Sequence, residues 1–145
     1  MIYSDFKDFI GKLPPSGKIM AVDWGAARTG IAISDAAREW TFPRPQVSPD
    51  AAQIARTAAE DNVVGILVGL PPAGKTADEI RAFAASLAAR TDTPILLYDE
   101  HLSSKAAEDL LHEAGLNTKQ QKGKSDSVAA LVVLDEFLKR MKDAA

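Results

Sequence analysis

The sequence predicts an α/β fold built on a mixed sheet, and three observations lead there. An apolar run at 18–22 ends in Asp23, is followed by Gly25 and a short turn, and resumes as apolar residues at 31–33, which describes an antiparallel hairpin. Residues 63–70, Val-Val-Gly-Ile-Leu-Val-Gly-Leu, are apolar on both faces, as a central parallel strand covered on each side must be. Later strands alternate with stretches of helical periodicity, so crossover helices join them.

The elements follow in order. Tyr3, Phe6, Phe9, Ile10 and Leu13 lie at helical spacing until Pro14-Pro15, predicting an amphipathic helix over about 3–12. Residues 1–17 are then a helical extension of one domain spanning 1–145. Strands are expected at 18–23 and 29–34, and a third within 40–47, where Pro43 and Pro45 require an edge or irregular strand. Ser48-Pro49-Asp50 opens a helix to about 61, with Ser48 as cap and Asp50 complementing the dipole. After the strand at 63–70 come a helix at 76–90, capped by Thr76, and a buried strand at 94–98 that runs out into Asp99-Glu100. Ser103 or Ser104 opens a further helix, 103–114, which Gly115 closes. Residues 116–124 are polar and basic and read as a loop, and a last helix covers about 125–141.

With 145 residues, 46% hydrophobic and 26% charged, the chain has the size and composition of one globular domain. It has no run of eighteen apolar residues to span a membrane and no secretory-type leader. Cysteine is absent, which excludes disulfides, thiolate metal sites and cysteine nucleophiles and fits a cytoplasmic location. Net charge is −3, so any surface for nucleic acid must be local.

A carboxylate ending a buried strand is costly unless paired, and a cation is the simplest partner. Asp23 and Glu100 both stand at carboxyl ends of strands, where ligands of such sheets bind. Asp126, among the small residues Ser125, Ser127, Ala129 and Ala130, stands where a helix could approach that edge. Three carboxylates grouped together select a hard cation, Mg²⁺ or Mn²⁺. Two such ions about 3.5–4 Å apart can drive phosphodiester hydrolysis. Each acid alone has a plainer role as a turn or cap residue. Lys119, Lys122 and Lys124 flank Asp126 and Arg28 lies in the hairpin turn; beside a metal site these cations would hold the phosphates around a scissile bond. His101 follows Glu100 and could touch phosphate or move a proton; Trp24 suits packing better than base stacking.

Two nucleotide-binding patterns compete. Gly69-Leu-Pro-Pro-Ala-Gly-Lys-Thr76 satisfies the P-loop spelling between a strand and a helix. Pro71 and Pro72, however, lack the N–H groups with which a P-loop holds phosphate. An NTPase would also leave Asp23 and the 119–126 segment without a role. The Asp23-x-Gly25 hairpin is also similar to the first phosphate hairpin of sugar kinases and actin-like ATPases, which need two such domains and a longer chain.

Residues 19–35, Ile-Met-Ala-Val-Asp-Trp-Gly-Ala-Ala-Arg-Thr-Gly-Ile-Ala-Ile-Ser-Asp, resemble the opening motif of the YqgF/RuvX family. Residues 64–71 resemble its central strand, Asp99-Glu-His-Leu-Ser-Ser104 with Ala107-Glu108 its second acidic motif, and residues 121–130 its third. The likeness runs over about 18–140, and four motifs in order are specific. It implies a ribonuclease H-like mixed sheet: antiparallel strands 18–23, 29–34 and 40–47, extended by parallel strands 63–70 and 94–98 and flanked by helices. It also implies a metal-dependent nuclease, either of 5′ ends of small-subunit precursor rRNA or of Holliday junctions. Carried over, Asp23, Glu100 and Asp126 are the catalytic and metal-binding residues, and Arg28 and Lys124 their basic companions. Two departures stand out: His101 replaces the usual arginine, making that contact pH-dependent, and the loop after Pro71 is shortened. A domain that binds nucleic acid without cutting it is the alternative these departures raise. Junction cleavage favours a homodimer facing two strands, whereas end trimming needs only a monomer.

Overall fold

The computed structural model describes residues 1–71, 74–99 and 118–144, and for 118–126 the backbone only. Six strands form one sheet: β1 (Ile2–Tyr3), β2 (Lys18–Asp23), β3 (Thr29–Ser34), β4 (Thr41–Val47), β5 (Val63–Leu70) and β6 (Ile95–Asp99). Their order is β1-β6-β5-β2-β3-β4. The hairpin strands β2, β3 and β4 are antiparallel, whereas β5 runs parallel to β2, and β6 parallel to β5. The helices among the described residues are α1 (Phe6–Ile10), α2 (Ala51–Glu60), α3 (Lys75–Ala88) and α4 (Thr118–Ala144).

The two-faced apolar run at 63–70 is indeed central, with β2 on one side and β6 on the other. Side chains alternate across the sheet. Met20, Val22, Ile31, Ile33, Ile66, Val68 and Leu97 enter the core under α2 and α3. Ile19, Ala21, Ala32, Leu67, Leu96 and Tyr98 meet α1 and α4. Phe137 of α4 anchors that second layer, with edge-on contacts to Phe6 at 5.4 Å, Phe9 at 5.8 Å and Tyr98 at 5.7 Å. At Gly65 a methyl group would come within 2.7 Å of Leu13, so glycine lets the chain after α1 lie flat on β5.

Four local expectations are corrected. Residues 2–3 are not helical: β1 pairs with β6 in parallel, α1 shrinks to Phe6–Ile10, and Phe6 and Phe9 are buried, so the first residues belong to the sheet and core rather than to a helical extension. Asp50, not Ser48, caps α2, because its carboxylate accepts the Ala52 amide at 3.0 Å. Helix α3 starts behind Gly74, whose φ of 110° suits glycine, and Thr76 falls inside its first turn. Helix α4 begins at Thr118, so the basic stretch 118–124 has a helical backbone where a loop was expected. Lysine and glutamine are good helix formers, and a polar sequence does not by itself break a helix. The helix expected at 103–114 lies outside the described residues.

Candidate functional site

The candidate site lies at the carboxyl edge of the sheet. Asp23 is the last residue of β2 and pairs with Gly30. Gly25 makes the turn beyond it possible, since a methyl group there would collide with the Arg28 carbonyl oxygen. Arg28 is exposed on this turn. Trp24 goes to the other side of the sheet and packs on Phe83, 6.4 Å between ring centroids, so packing is its observed role.

Register settles which acids can share a face. Val22 is paired with Val68, and Gly69 with Tyr98, so Asp23, Gly69 and Tyr98 stand level on the α4 side. Leu70 and Asp99 are the next pair, and Leu70 lies in the core under α2 and α3. Asp99 therefore faces away from Asp23. The carboxyl ends of β2 and β6, with only β5 between them, are about 9–10 Å apart, a gap that two acidic side chains and an ion can bridge.

Two hydrogen bonds fix the direction of α4. The Ser127 hydroxyl donates to the Arg44 carbonyl at 2.6 Å, and the Thr41 hydroxyl donates to the Asp135 carboxylate at 2.6 Å. Arg44 is paired with Ile31, next to the carboxyl end of β2, whereas Thr41 is paired with Ser34 near the other end. Helix α4 thus runs antiparallel to β2, and the backbone of residue 126 arrives at the Asp23 edge. Glu100 and His101, and the side chains of Asp126, Lys119, Lys122 and Lys124, lie outside the described residues.

Below the edge, burial raises the Tyr98 hydroxyl pKa, so Tyr98 is neutral through the working pH range. Arg140 lies over the Phe6 ring at 4.1 Å and reaches 6.0 Å from the Tyr98 ring, closing this side of the core with a cation on two aromatic faces. In the 69–76 connection, β5 ends at Leu70, Pro71 offers no N–H, and the helix starts at Lys75; Pro72 is outside the described residues.

Sequence reasoning did not single out four residues. Ser127 appeared only as a small neighbour of Asp126, yet its hydroxyl registers α4 on β4. Asp35 organises the β3–β4 turn, accepting the Glu39 amide at 2.9 Å and the Trp40 amide at 3.1 Å. Trp40, just before the edge strand, and Phe42, on it, are exposed; their spacing at the start of a proline-bearing strand was the available signal.

Comparison with known proteins follows the same lines. Residues 17–140 match the family model described as RuvX, Holliday junction resolvase. A protein of Cereibacter sphaeroides named "Putative pre-16S rRNA nuclease" is 36% identical over 151 residues, covering 97% of this chain and 94% of its own. One of the same name from Maridesulfovibrio salexigens is 40% identical over 133 residues, covering 85% and 98%. Among solved structures, the Fowlpox virus resolvase in complex with Holliday junction DNA superposes with a TM-score of 0.61 at 12% identity, covering 86% of this chain and 98% of that one. RuvC of T. thermophilus with a Holliday junction gives 0.57 at 13% identity, covering 86% and 96%. Identities this low show a shared fold.

Proposed function

The chain belongs to the RuvX family, and on that premise we propose that it is a metal-dependent nuclease that matures the 5′ end of small-subunit precursor rRNA. The observation that carries this is the shared edge: Asp23 ends β2, and α4 delivers residue 126 to the same end. Counting by two from Leu96 and Tyr98, which share the face of Asp23, reaches Glu100 in sequence. We assign Asp23, Glu100 and Asp126 as the catalytic, metal-holding trio.

Their donor atoms are hard carboxylate oxygens in a chain without cysteine, which suits Mg²⁺ or Mn²⁺. Such an ion, when bound, would activate a water and polarise the scissile phosphate. The chain's own groups do the rest. Arg28, exposed beyond Asp23, meets a phosphate next to the scissile one, and Lys119, Lys122 and Lys124 hold the flanking backbone. His101 adds a contact that strengthens when its imidazole is protonated.

Precursor rRNA ranks above branched DNA on similarity: relatives at 36% and 40% identity carry the rRNA nuclease name, whereas the resolvase structures are at 12% and 13%. Incubation with a 5′-extended precursor rRNA and with a four-way junction, each with Mg²⁺, Mn²⁺ or EDTA, tests the proposal. Cleavage of the rRNA with either metal and none with EDTA is the expected result. Cleavage of the junction alone would reverse the ranking, and metal-independent cleavage would remove the trio's assigned role.

A further inference from the structure

Trp40 and Phe42 are 68% and 53% exposed, and apart from Met1 at the chain start they are the exposed large hydrophobic groups among the described residues. They are neighbours. Phe42 is paired with Ile33, and Ile33 points to the α2 side, so Phe42 does too. Two residues on, the Arg44 guanidinium reaches the Asp61 carboxylate at the C-terminal end of α2, 3.1 Å away, confirming the face. Trp40 stands just before β4, held opposite Asp35 by the Asp35 amide on its carbonyl, so it continues the register of Phe42 and Arg44. An aromatic, an aromatic and a guanidinium therefore stand at every second position from the turn into β4, about 6.5–7 Å apart.

The row has a direction. Arg44 lies level with Ile31, one residue from the Gly30 that is paired with Asp23. From there the row runs back along the sheet to Trp40, about 15–20 Å from the Asp23 edge and on the face opposite Asp23, so a strand that reaches it crosses the open edge of the sheet at β4. It is also held in place. Asp35 grips the Glu39 and Trp40 amides, the Asp35 amide donates to the Trp40 carbonyl at 3.0 Å, and Arg38 spans to the Gly17 and Pro14 carbonyls at 2.9 Å each. An exposed indole on a turn braced this way loses little freedom when something binds it.

We propose that Trp40, Phe42 and Arg44 form a stacking platform for a single-stranded stretch of the substrate that leads away from the scissile bond; this rests on the nuclease proposed above. Bases stack on aromatic faces without regard to sequence, and a guanidinium takes either a base face or a phosphate. The Arg44–Asp61 pair is half-exposed and screened, so Arg44 can exchange that carboxylate for a phosphate. A β-strand partner fits poorly, because Pro43 and Pro45 remove two amide donors from the edge strand.

The test is binding of a single-stranded RNA oligonucleotide in EDTA, with cleavage of a substrate bearing a single-stranded tail compared with the same substrate trimmed. Trp40→Ala/Phe42→Ala is expected to weaken oligonucleotide binding about tenfold or more, and to lower the tailed-to-trimmed cleavage ratio. Trp40→Phe, which keeps a π face, should retain most of the affinity, whereas Trp40→Leu, which keeps only apolar surface, should not. Unchanged affinity in the double variant, or equal binding by the Phe and Leu variants, overturns the platform. So does a wild-type dimer that the double variant splits without altering RNA affinity, since the face would then belong to a second copy. Failure of the wild type to cut any substrate would sink the nuclease instead, and the platform would still stand or fall on the binding comparison.

Discussion

At the scale of single residues, Asp23 was legible because an acid closing an apolar run is conspicuous, and Gly25 because the turn beyond it needs room. Asp35 was not, because its partners are backbone amides that only the folded turn brings within reach. Those hydrogen bonds, from Trp40 first and then Glu39, hold the Asp35 carboxyl below its ordinary pKa. A depressed folded-state pKa means that the stabilisation is complete above the unfolded value and is lost as pH falls through the folded one. The turn that presents Trp40 should therefore hold through neutral and mildly acid pH and loosen only below the ordinary aspartate range. A carboxyl-carbon NMR titration of Asp35, followed together with Trp40 emission, checks this; a midpoint at or above that of an exposed aspartate would contradict it.

At the scale of elements, β2, β3 and β5 were readable at their ends because their apolar runs are long and bounded by turns or charges. Strand β1 was hidden: two residues carry no period, and Tyr3 also fits a helical series with Phe6 and Phe9. The start of α4 was hidden for the opposite reason, since its first turns are polar throughout and the helix continues on propensity rather than amphipathicity. Among the residues α4 buries, Phe137 is fully enclosed against Phe6, Phe9 and Tyr98. Phe137→Ala should cost about 3–5 kcal/mol. Thermal melting should show the loss, and amide exchange should quicken in α1, β1 and α4 ahead of β5. A loss well under 1 kcal/mol would mean that this layer does not hold the edge of the sheet together.

At the scale of the whole molecule, the sequence could place Asp23 at a strand end, but not α4, whose direction depends on the Ser127 and Asp135 bonds to β4. No sequence period encodes which way a C-terminal helix crosses a sheet. That crossing brings the backbone of the C-terminal part of the 118–126 stretch to the Asp23 edge, and the role proposed for its three lysines follows from that placement. Despite the net charge of −3, binding should depend steeply on salt. Replacing Lys119, Lys122 and Lys124 together with alanine should flatten the log-affinity versus log-salt slope by about two to three units. An unchanged slope would return them to the role of a solvated helix end.

The three-carboxylate centre is tested most directly by the single-turnover cleavage rate of Asp126→Asn on precursor rRNA in Mg²⁺, with binding measured alongside in EDTA. Asparagine matches aspartate in size but brings no charge to an ion, and residue 126 lies inside α4, past its first turn, so no helix-end interaction is lost and the fold should survive. Cleavage should fall by about two orders of magnitude or more, about 3 kcal/mol in barrier, while affinity in EDTA holds or rises. Cleavage at the wild-type rate by a folded Asp126→Asn would contradict the centre.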